Sequence, residues 1–393
     1  MPILKRVSLL WKRVKIVWKN EYGNIFRDKG VLLIFFGAML IYPLVYPLPY
    51  LHENIRDISV AVVDKDNTQL SRQISRMMDA NEALHVKKKY TDLESARKDF
   101  FEGTVYGIIM IPKDFSKKIT RGELSNIVAY CDASYLMIYR QVLTGAKTVA
   151  LTMSAGVEIK KLMLSGMTRE EAMAAYDPLP VVSYPLFNPR GGYASFVVPG
   201  VLILILQQTL LVGIGMIMGT ARENGELEFY DEEREIVETI LGKAGAYLSI
   251  YAVHVIYFYT ILYKLFSFPK RASMPELLFF ALPFLLACIF LAITISAFFK
   301  NRETSMMILL CTSIPALFLS GFSWPVQAIP DWLHFISYLL PTTAGIDGFL
   351  KLNQMGAGLG HVSFNLVILW GIALFYFVTA CLSMRHIMKK SGN

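Results

Sequence analysis

The sequence predicts a polytopic α-helical membrane protein with six transmembrane helices, plus an α/β extracytoplasmic domain inserted between helices 1 and 2. Three observations lead there. The 393 residues are 54% hydrophobic and only 18% charged, with a mean hydropathy of +0.44, whereas soluble domains carry about 25% charge. Six stretches contain no Asp, Glu, Lys or Arg for 20 residues or more: 30–52, 191–221, 244–263, 277–299, 304–330 and 352–384. Between the first two, residues 53–190 hold 36 charged positions, the composition of an ordinary folded domain. A hydrocarbon core about 30 Å thick takes about 20 helical residues at 1.5 Å each, so every gap is long enough to cross it.

The elements follow in order. In the leader, residues 1–30, Lys5, Arg6, Lys12, Arg13, Lys15, Lys19, Arg27 and Lys29 outnumber Glu21 and Asp28. That bias holds the N-terminus in the cytosol. Leu10, Trp11, Val14, Val17 and Trp18 recur at helical spacing with Lys12, Lys15 and Lys19 on other faces. The leader therefore reads as an amphipathic helix in the headgroup layer, anchored by Trp11, Val14 and Trp18. The first span, 31–51, comes after this charged leader and has no small-residue cleavage site behind it, so it reads as an uncleaved anchor. Six crossings return the C-terminus to the cytosol, where Arg385, Lys389 and Lys390 fit the same rule. Lys300 and Arg302 also fall inside, while Lys270 and Arg271 are a mild exception outside.

The insert, 52–194, carries 19 basic and 17 acidic residues, and long domains cross a membrane regardless of charge. Apolar β-branched runs at 58–63, 84–86, 105–111 and 127–130 alternate with helical stretches at 68–80 and 92–102, which predicts a small α/β layer. Residues 135–164 read as one long helix, a stalk. Asp64-Lys65-Asp66-Asn67 reads as a turn and helix cap, because no Gly or Glu follows where a calcium loop needs them.

The spans exclude several functions. Between positions 195 and 390 their apolar stretches carry no charged side chain to bear protons or hold cations, and such groups mark ion-coupled transporters. His254 stands alone and reads as a packed imidazole. Ser320, Ser323 and His334 fit no nucleophile-elbow or zinc-protease pattern, so no enzyme is indicated. Gly145-Ala146-Lys147-Thr148 lacks the second Gly before Lys and the upstream strand of a P-loop. Cys131, Cys288, Cys311 and Cys381 have no metal-like spacing. No cofactor and no metal is expected, and the +8 net charge reflects orientation and contact with anionic lipid rather than nucleic acid.

Two features exceed what an anchor needs. The loop 221–243 holds eight acids (Glu223, Glu226, Glu228, Asp231, Glu232, Glu233, Glu235, Glu238) against Arg222 and Arg234, a one-signed cytosolic surface suited to docking. Leu227, Tyr230, Ile236, Val237 and Ile240 allow a short amphipathic helix there. The external segment 320–361 is apolar but broken by Pro325, Pro330 and Pro341, with Trp332 on its apolar face and glycines 356, 358 and 360 at its end. It reads as re-entrant or interfacial helices able to close an external gate. Gly213, Gly215 and Gly219 supply small residues for close helix packing.

The order of these parts resembles the ABC-2 type transporter permeases, in particular the bacterial subgroup with a large periplasmic domain between the first and second transmembrane helices. Val60-Ala61-Val62-Val63-Asp64-Lys65-Asp66-Asn67 looks like that family's first periplasmic strand, and Tyr106–Phe115 its later one. Arg222-Glu223-Asn224-Gly225-Glu226-Leu227-Glu228 and Leu241-Gly242-Lys243 resemble its coupling segment. Ala221 and Glu226 depart from the family's usual Glu and Thr, and the loop is more acidic. The resemblance implies a permease subunit of an exporter in the bacterial inner membrane. It would pair as a homodimer, or as a heterodimer with a related permease. A separate ATP-binding cassette ATPase subunit would dock on Glu223, Gly225, Glu226, Glu228, Gly242 and Lys243. It leaves room for a periplasmic adaptor and an outer-membrane channel. The alternative is a membrane receptor or assembly scaffold with a ligand-binding periplasmic domain, against which five spans after the domain count. A secondary transporter ranks third.

Overall fold

The computed structural model describes residues 2–51, 55–189, 191–225 and 236–391. Glu226, Glu228 and the acidic run 231–235 of the loop lie outside the described residues. The chain divides into two compact units, Met1–Glu53 with Pro185–Asn393, and Asn54–Tyr184.

In the first unit, a 26-residue helix α1 (Pro2–Arg27) precedes six helices long and apolar enough to cross a membrane: Lys29–Tyr50, Tyr193–Glu223, Ile236–Leu265, Met274–Ser296, Arg302–Leu319 and Leu359–Ile387. These are spans 1 to 6. Several take in charged residues at or near their ends, such as Lys29, Glu223 and Lys243. Span 2 is the central post, with nearly every side chain from Ala194 to Gly219 buried. Its glycines explain the fit. A Cβ on Gly213 would collide with the Phe35 ring of span 1, one on Gly215 with Ser305 of span 5, and one on Gly219 would come 2.7 Å from the Arg302 Cα. Spans 1, 5 and 6 leave apolar side chains outward, such as Leu33, Met307 and Val367, the surface a lipid bilayer covers.

Span 5 is shorter than its charge-free stretch. The apolar stretch reaches Pro330, yet the helix ends at Leu319 and is interrupted at Thr312, between Arg302–Cys311 and Ser313–Leu319. Pro315 has no N–H to return to the Cys311 carbonyl, and Gly321 turns the chain at φ +74°. Beyond it, α7 (Asp331–Ser337) and α8 (Pro341–Asn353) form two short helices. Single π-helical turns at Leu33–Ala38 and Phe258–Leu262 in spans 1 and 3 had no signal in the hydrophobic pattern.

The second unit is built on a four-stranded sheet in the order β2-β1-β3-β4, from β1 (Ile58–Asp64), β2 (Leu84–Tyr90), β3 (Gly107–Ile111) and β4 (Val128–Cys131). The first three are parallel and β4 is antiparallel to β3. Alternation along β1 sends Val60 and Val62 to one face, against Ile74, Met78 and Val142, and Ala61 and Val63 to the other, against Ala96 and Val105. The long helix Leu136–Leu164 contributes Val142, Ala146 and Val149 to the first face. Gly145 sits mid-helix against Leu84, so the run through Thr148 is no phosphate loop. Asp64 Oδ1 accepts from the Asp66 and Asn67 amides at 3.0 and 2.8 Å, the turn expected there. Among the described residues no cluster of His, Cys, Asp or Glu could hold a metal.

Candidate functional site

The alternating spans define two ends of the helical unit. At the leader end, α1 lies along span 3 and turns Val14, Val17 and Ile25 inward. Gly242 is the reason the two helices approach so closely. A Cβ there would stand 2.6 Å from Val17 Cβ and 2.9 Å from the Val14 carbonyl oxygen. One turn on, Gly245 lies in ordinary contact distance of the Trp18 ring. The face predicted to lie in lipid is thus split, since Val14 packs on span 3 while Trp11 is 59% exposed. Two glycines on span 3, Gly242 and Gly245, give α1 a protein surface to bury against.

A charged pair pins the same contact. Lys243 Nζ lies 2.5 Å from Glu21 Oε2, and the Tyr247 hydroxyl donates to Glu21 Oε1. Glu21 is only 2% exposed, so this carboxylate survives burial by having both oxygens bonded. Gly242 and Lys243, expected in the loop, stand inside the span 3 helix, which is described from Ile236.

Beside this lies a second polar group. Asp28 caps span 1 by accepting from the Gly30 and Val31 amides at 2.9 and 3.1 Å. The Arg302 guanidinium grips the same carboxylate with both arms, Nη2 at 2.8 Å from Oδ1 and Nη1 on Oδ2. Nη1 also donates to Thr220 Oγ1 at 3.0 Å, and the Arg302 amide to Glu223 Oε1 at 3.0 Å. Arg222, next to Glu223, donates to the carbonyls of Ala297 and Phe299 at 2.7 and 2.6 Å, closing the end of span 4. The hydrogen bond from Arg302 holds the Asp28 carboxyl below its ordinary 3.8, with burial opposing. Gly225, at φ +69°, ends span 2. Glu223, exposed at the end of span 2, thus also accepts the first amide of span 5.

At the far end, Pro330 precedes α7 as its cap residue, Pro325 precedes a short 3-10 turn, and Pro341 opens α8. The gate candidates separate. Trp332 is 67% exposed, on an outward stripe with Phe335, Ile336 and Leu339. Pro341 is buried, because α8 enters the interior with Gly345 and Gly348 against Phe284 and Phe280 of span 4. Its Thr342 amide donates to Gln207 Oε1 on span 2 at 3.0 Å. His254 lies edge-on to Phe36 and Tyr251, with Nε2 unpartnered among the described residues.

Sequence reasoning passed over Glu21, Asp28, Arg302, Tyr247 and Gln207. A signal existed for the first two, the sole acids in a basic leader. The leader-end arrangement contains no activated nucleophile. It offers mechanical linkage, with α1 and the ends of spans 1, 2, 3, 4 and 5 joined by directional bonds.

A family model described as ABC-2 family transporter protein matches residues 29–382. ABC transporter G family member 20 of Dictyostelium discoideum is 19% identical over 373 residues, covering 93% of this chain but 50% of its own length. The chain thus spans about half of that relative. Linearmycin resistance permease protein LnrN of Bacillus subtilis is 24% identical over 95% of this chain and 100% of its own. The probable multidrug ABC transporter permease YbhS of Escherichia coli is 20% identical over 85% of this chain and 86% of its own.

Proposed function

We propose, from the premise that the chain belongs to the ABC-2 transporter family, that it is the permease subunit of an exporter driven by a separate ATP-binding cassette ATPase. Two permease chains pair in a bacterial inner membrane with both termini cytosolic, and substrate moves outward from the cytoplasm or the inner leaflet. The relatives named for linearmycin resistance and multidrug transport support a drug-like cargo, and spans whose apolar stretches are free of charge suit an uncharged one.

The observation that carries this reading is the Gly242 notch with the Glu21–Lys243 pair. It makes α1 and the start of span 3 one rigid element, the kind of part on which a docked ATPase can push. Packed interiors pass such displacements on rather than absorbing them. Glu223, Glu226 and Glu228 supply the docking charge in the loop between spans 2 and 3. The test is co-purification. The chain should bring down a P-loop ATPase, and reversing Glu226 and Glu228 to Lys should weaken that association and ATP-driven transport together. Unchanged partner binding and transport in the double variant refute the docking role.

A further inference from the structure

Span 2 carries two adjacent glutamines at its midpoint, and only one of them is explained by packing. Gln207 accepts the Thr342 amide at the start of α8. Gln208 is 8% exposed, and neither its Oε1 nor its Nε2 has a partner among the described residues. A carboxamide offers two donors and an acceptor, and leaving them unmet away from water costs several kcal/mol. Fifteen residues, about 22 Å of helix, separate Gln208 from either end of the span, so it cannot reach the membrane surface.

Its direction follows from helical period. Gln208 precedes Gly215 by seven residues, two turns on the same face. Gly215 abuts Ser305 and Leu309 of span 5, and Ser305 Oγ is itself fully buried and unpartnered among the described residues. Gln208 therefore lies on the seam between spans 2 and 5, toward the half of span 5 beyond its interruption at Thr312. The leader half of that seam is closed by Gly219 and Arg302, while the other half, Ser313–Leu319, is a separate short helix with Ile314 and Phe318 turned outward.

We infer that Gln208 is a cargo-binding residue, whose amide takes a neutral hydrogen-bonding group (an amide, hydroxyl or carbonyl) of an otherwise apolar molecule when the outer half of span 5 parts from span 2. The class is neutral because the apolar stretches of the spans hold no countercharge for an ionised group. This inference rests on the transporter reading. A structural amide would be paired, as Gln207 is.

The test uses the complex with its ATPase, co-reconstituted in phosphatidylethanolamine–phosphatidylglycerol vesicles. The thiol of Gln208→Cys, in a chain whose native cysteines are replaced by serine or alanine, should react with N-ethylmaleimide about tenfold faster during ATP turnover than without nucleotide, as expected of a site exposed by local opening. Equal protection in both states, in a complex that hydrolyses ATP, overturns the inference. Absence of any co-purifying ATPase instead overturns the transporter reading. Gln208→Leu gives the second arm. Its thermal midpoint should not fall, since no hydrogen bond is lost. Half-maximal stimulation of ATP hydrolysis by dodecanamide should move up about tenfold, the worth of one hydrogen bond in an apolar site, and by n-dodecane less than about twofold. A lowered midpoint, equal shifts for the two probes, or no response of the unsubstituted complex to dodecanamide overturns the assignment.

Discussion

The two ends of the helical unit are held together by different physics. At the leader end, ion pairs and forked hydrogen bonds join separate helices, Glu21 to Lys243 and Asp28 to Arg302, with Arg222 on the carbonyls of span 4. At the far end the ion pair among the described residues is Asp347–Lys351, at 2.6 Å within the single helix α8. Helices there meet through rings and single hydrogen bonds such as Thr342 to Gln207. Tyr46, Tyr50, Tyr193, Phe196 and Phe322 follow one another at centroid separations of 5.7, 5.2, 6.3 and 5.2 Å. A forked guanidinium–carboxylate contact tolerates little change of geometry, whereas ring contacts keep most of their energy through several orientations. Under the proposed function the difference has a meaning. Force enters where the bundle is stiff, and cargo leaves where it can rearrange.

The sharpest way to break that contrast is to remove a charge from the stiff end. Glu21→Ala leaves Lys243 beside a buried, emptied site, and should cost about 3–5 kcal/mol, read as a large drop in thermal midpoint. Replacing both Glu21 and Lys243 by Met should recover most of the loss, since an apolar pair of similar volume needs no desolvation. Next in size is the glycine notch. Gly242→Val drives a branched side chain into Val17 and the Val14 carbonyl, and overpacking of this kind costs about 1–3 kcal/mol. Gly358→Ala at the far end meets nothing within 4 Å, and its midpoint should stay unchanged. If the two glycine variants behave alike, the stiff and compliant ends are not distinct.

What the sequence made legible follows the same division. The spans stood out because missing charge is a composition signal that needs no partner, and the sheet strands because β1 and β3 are short β-branched runs closed by turn residues. The helical period of α1 was readable, but not what it faced. Burial of Val14 depends on Gly242, more than 220 positions away, and a period cannot name its partner. Lys243 looked like loop chemistry for the related reason that a charge next to an apolar run marks a span's edge without fixing where the helix starts. The charge gap alone does not mark the end of span 5, because it runs on to Pro330 while Pro315 and Gly321 break the helix earlier. Asp28 and Arg302, 274 residues apart, leave no joint trace in one sequence. Gln208 could have been noticed as a polar residue at the centre of an apolar stretch, although only its lack of a partner separates it from Gln207.

Acid offers a finer test of the stiff end. Asp28 is held below 3.8 by Arg302, so in the folded chain it stays ionised at pH values where the unfolded chain has begun to protonate. Its stabilisation is complete above the ordinary value and disappears as pH falls through the lower folded one. Between pH 7 and 5 that contribution is constant, so the thermal midpoint should show no pH dependence from this group. Below about pH 4 it should fall more steeply in the unsubstituted chain than in Asp28→Asn, which has no proton to gain. A parallel acid limb in the two proteins would mean that the Asp28–Arg302 contact does not hold spans 1 and 5 together.

The smallest effect belongs to the compliant end and is the most demanding check on the contrast. Lys351 and Asp347 are both well exposed, 38% and 49% by side chain, in the i,i+4 arrangement that contributes only about 0.3–0.5 kcal/mol. Removing the lysine does not strand its partner, because Asp347 Oδ2 also accepts from Asn365 Nδ2 at 2.9 Å. Lys351→Ala should thus shift the thermal midpoint by less than the Glu21 and Gly242 variants, and 1 M salt should remove even that shift by screening an exposed pair. A loss approaching that of Glu21→Ala would mean that the α8–span 6 contact is charge-locked after all, and that stiffness is a property of the whole bundle rather than of the end that carries α1.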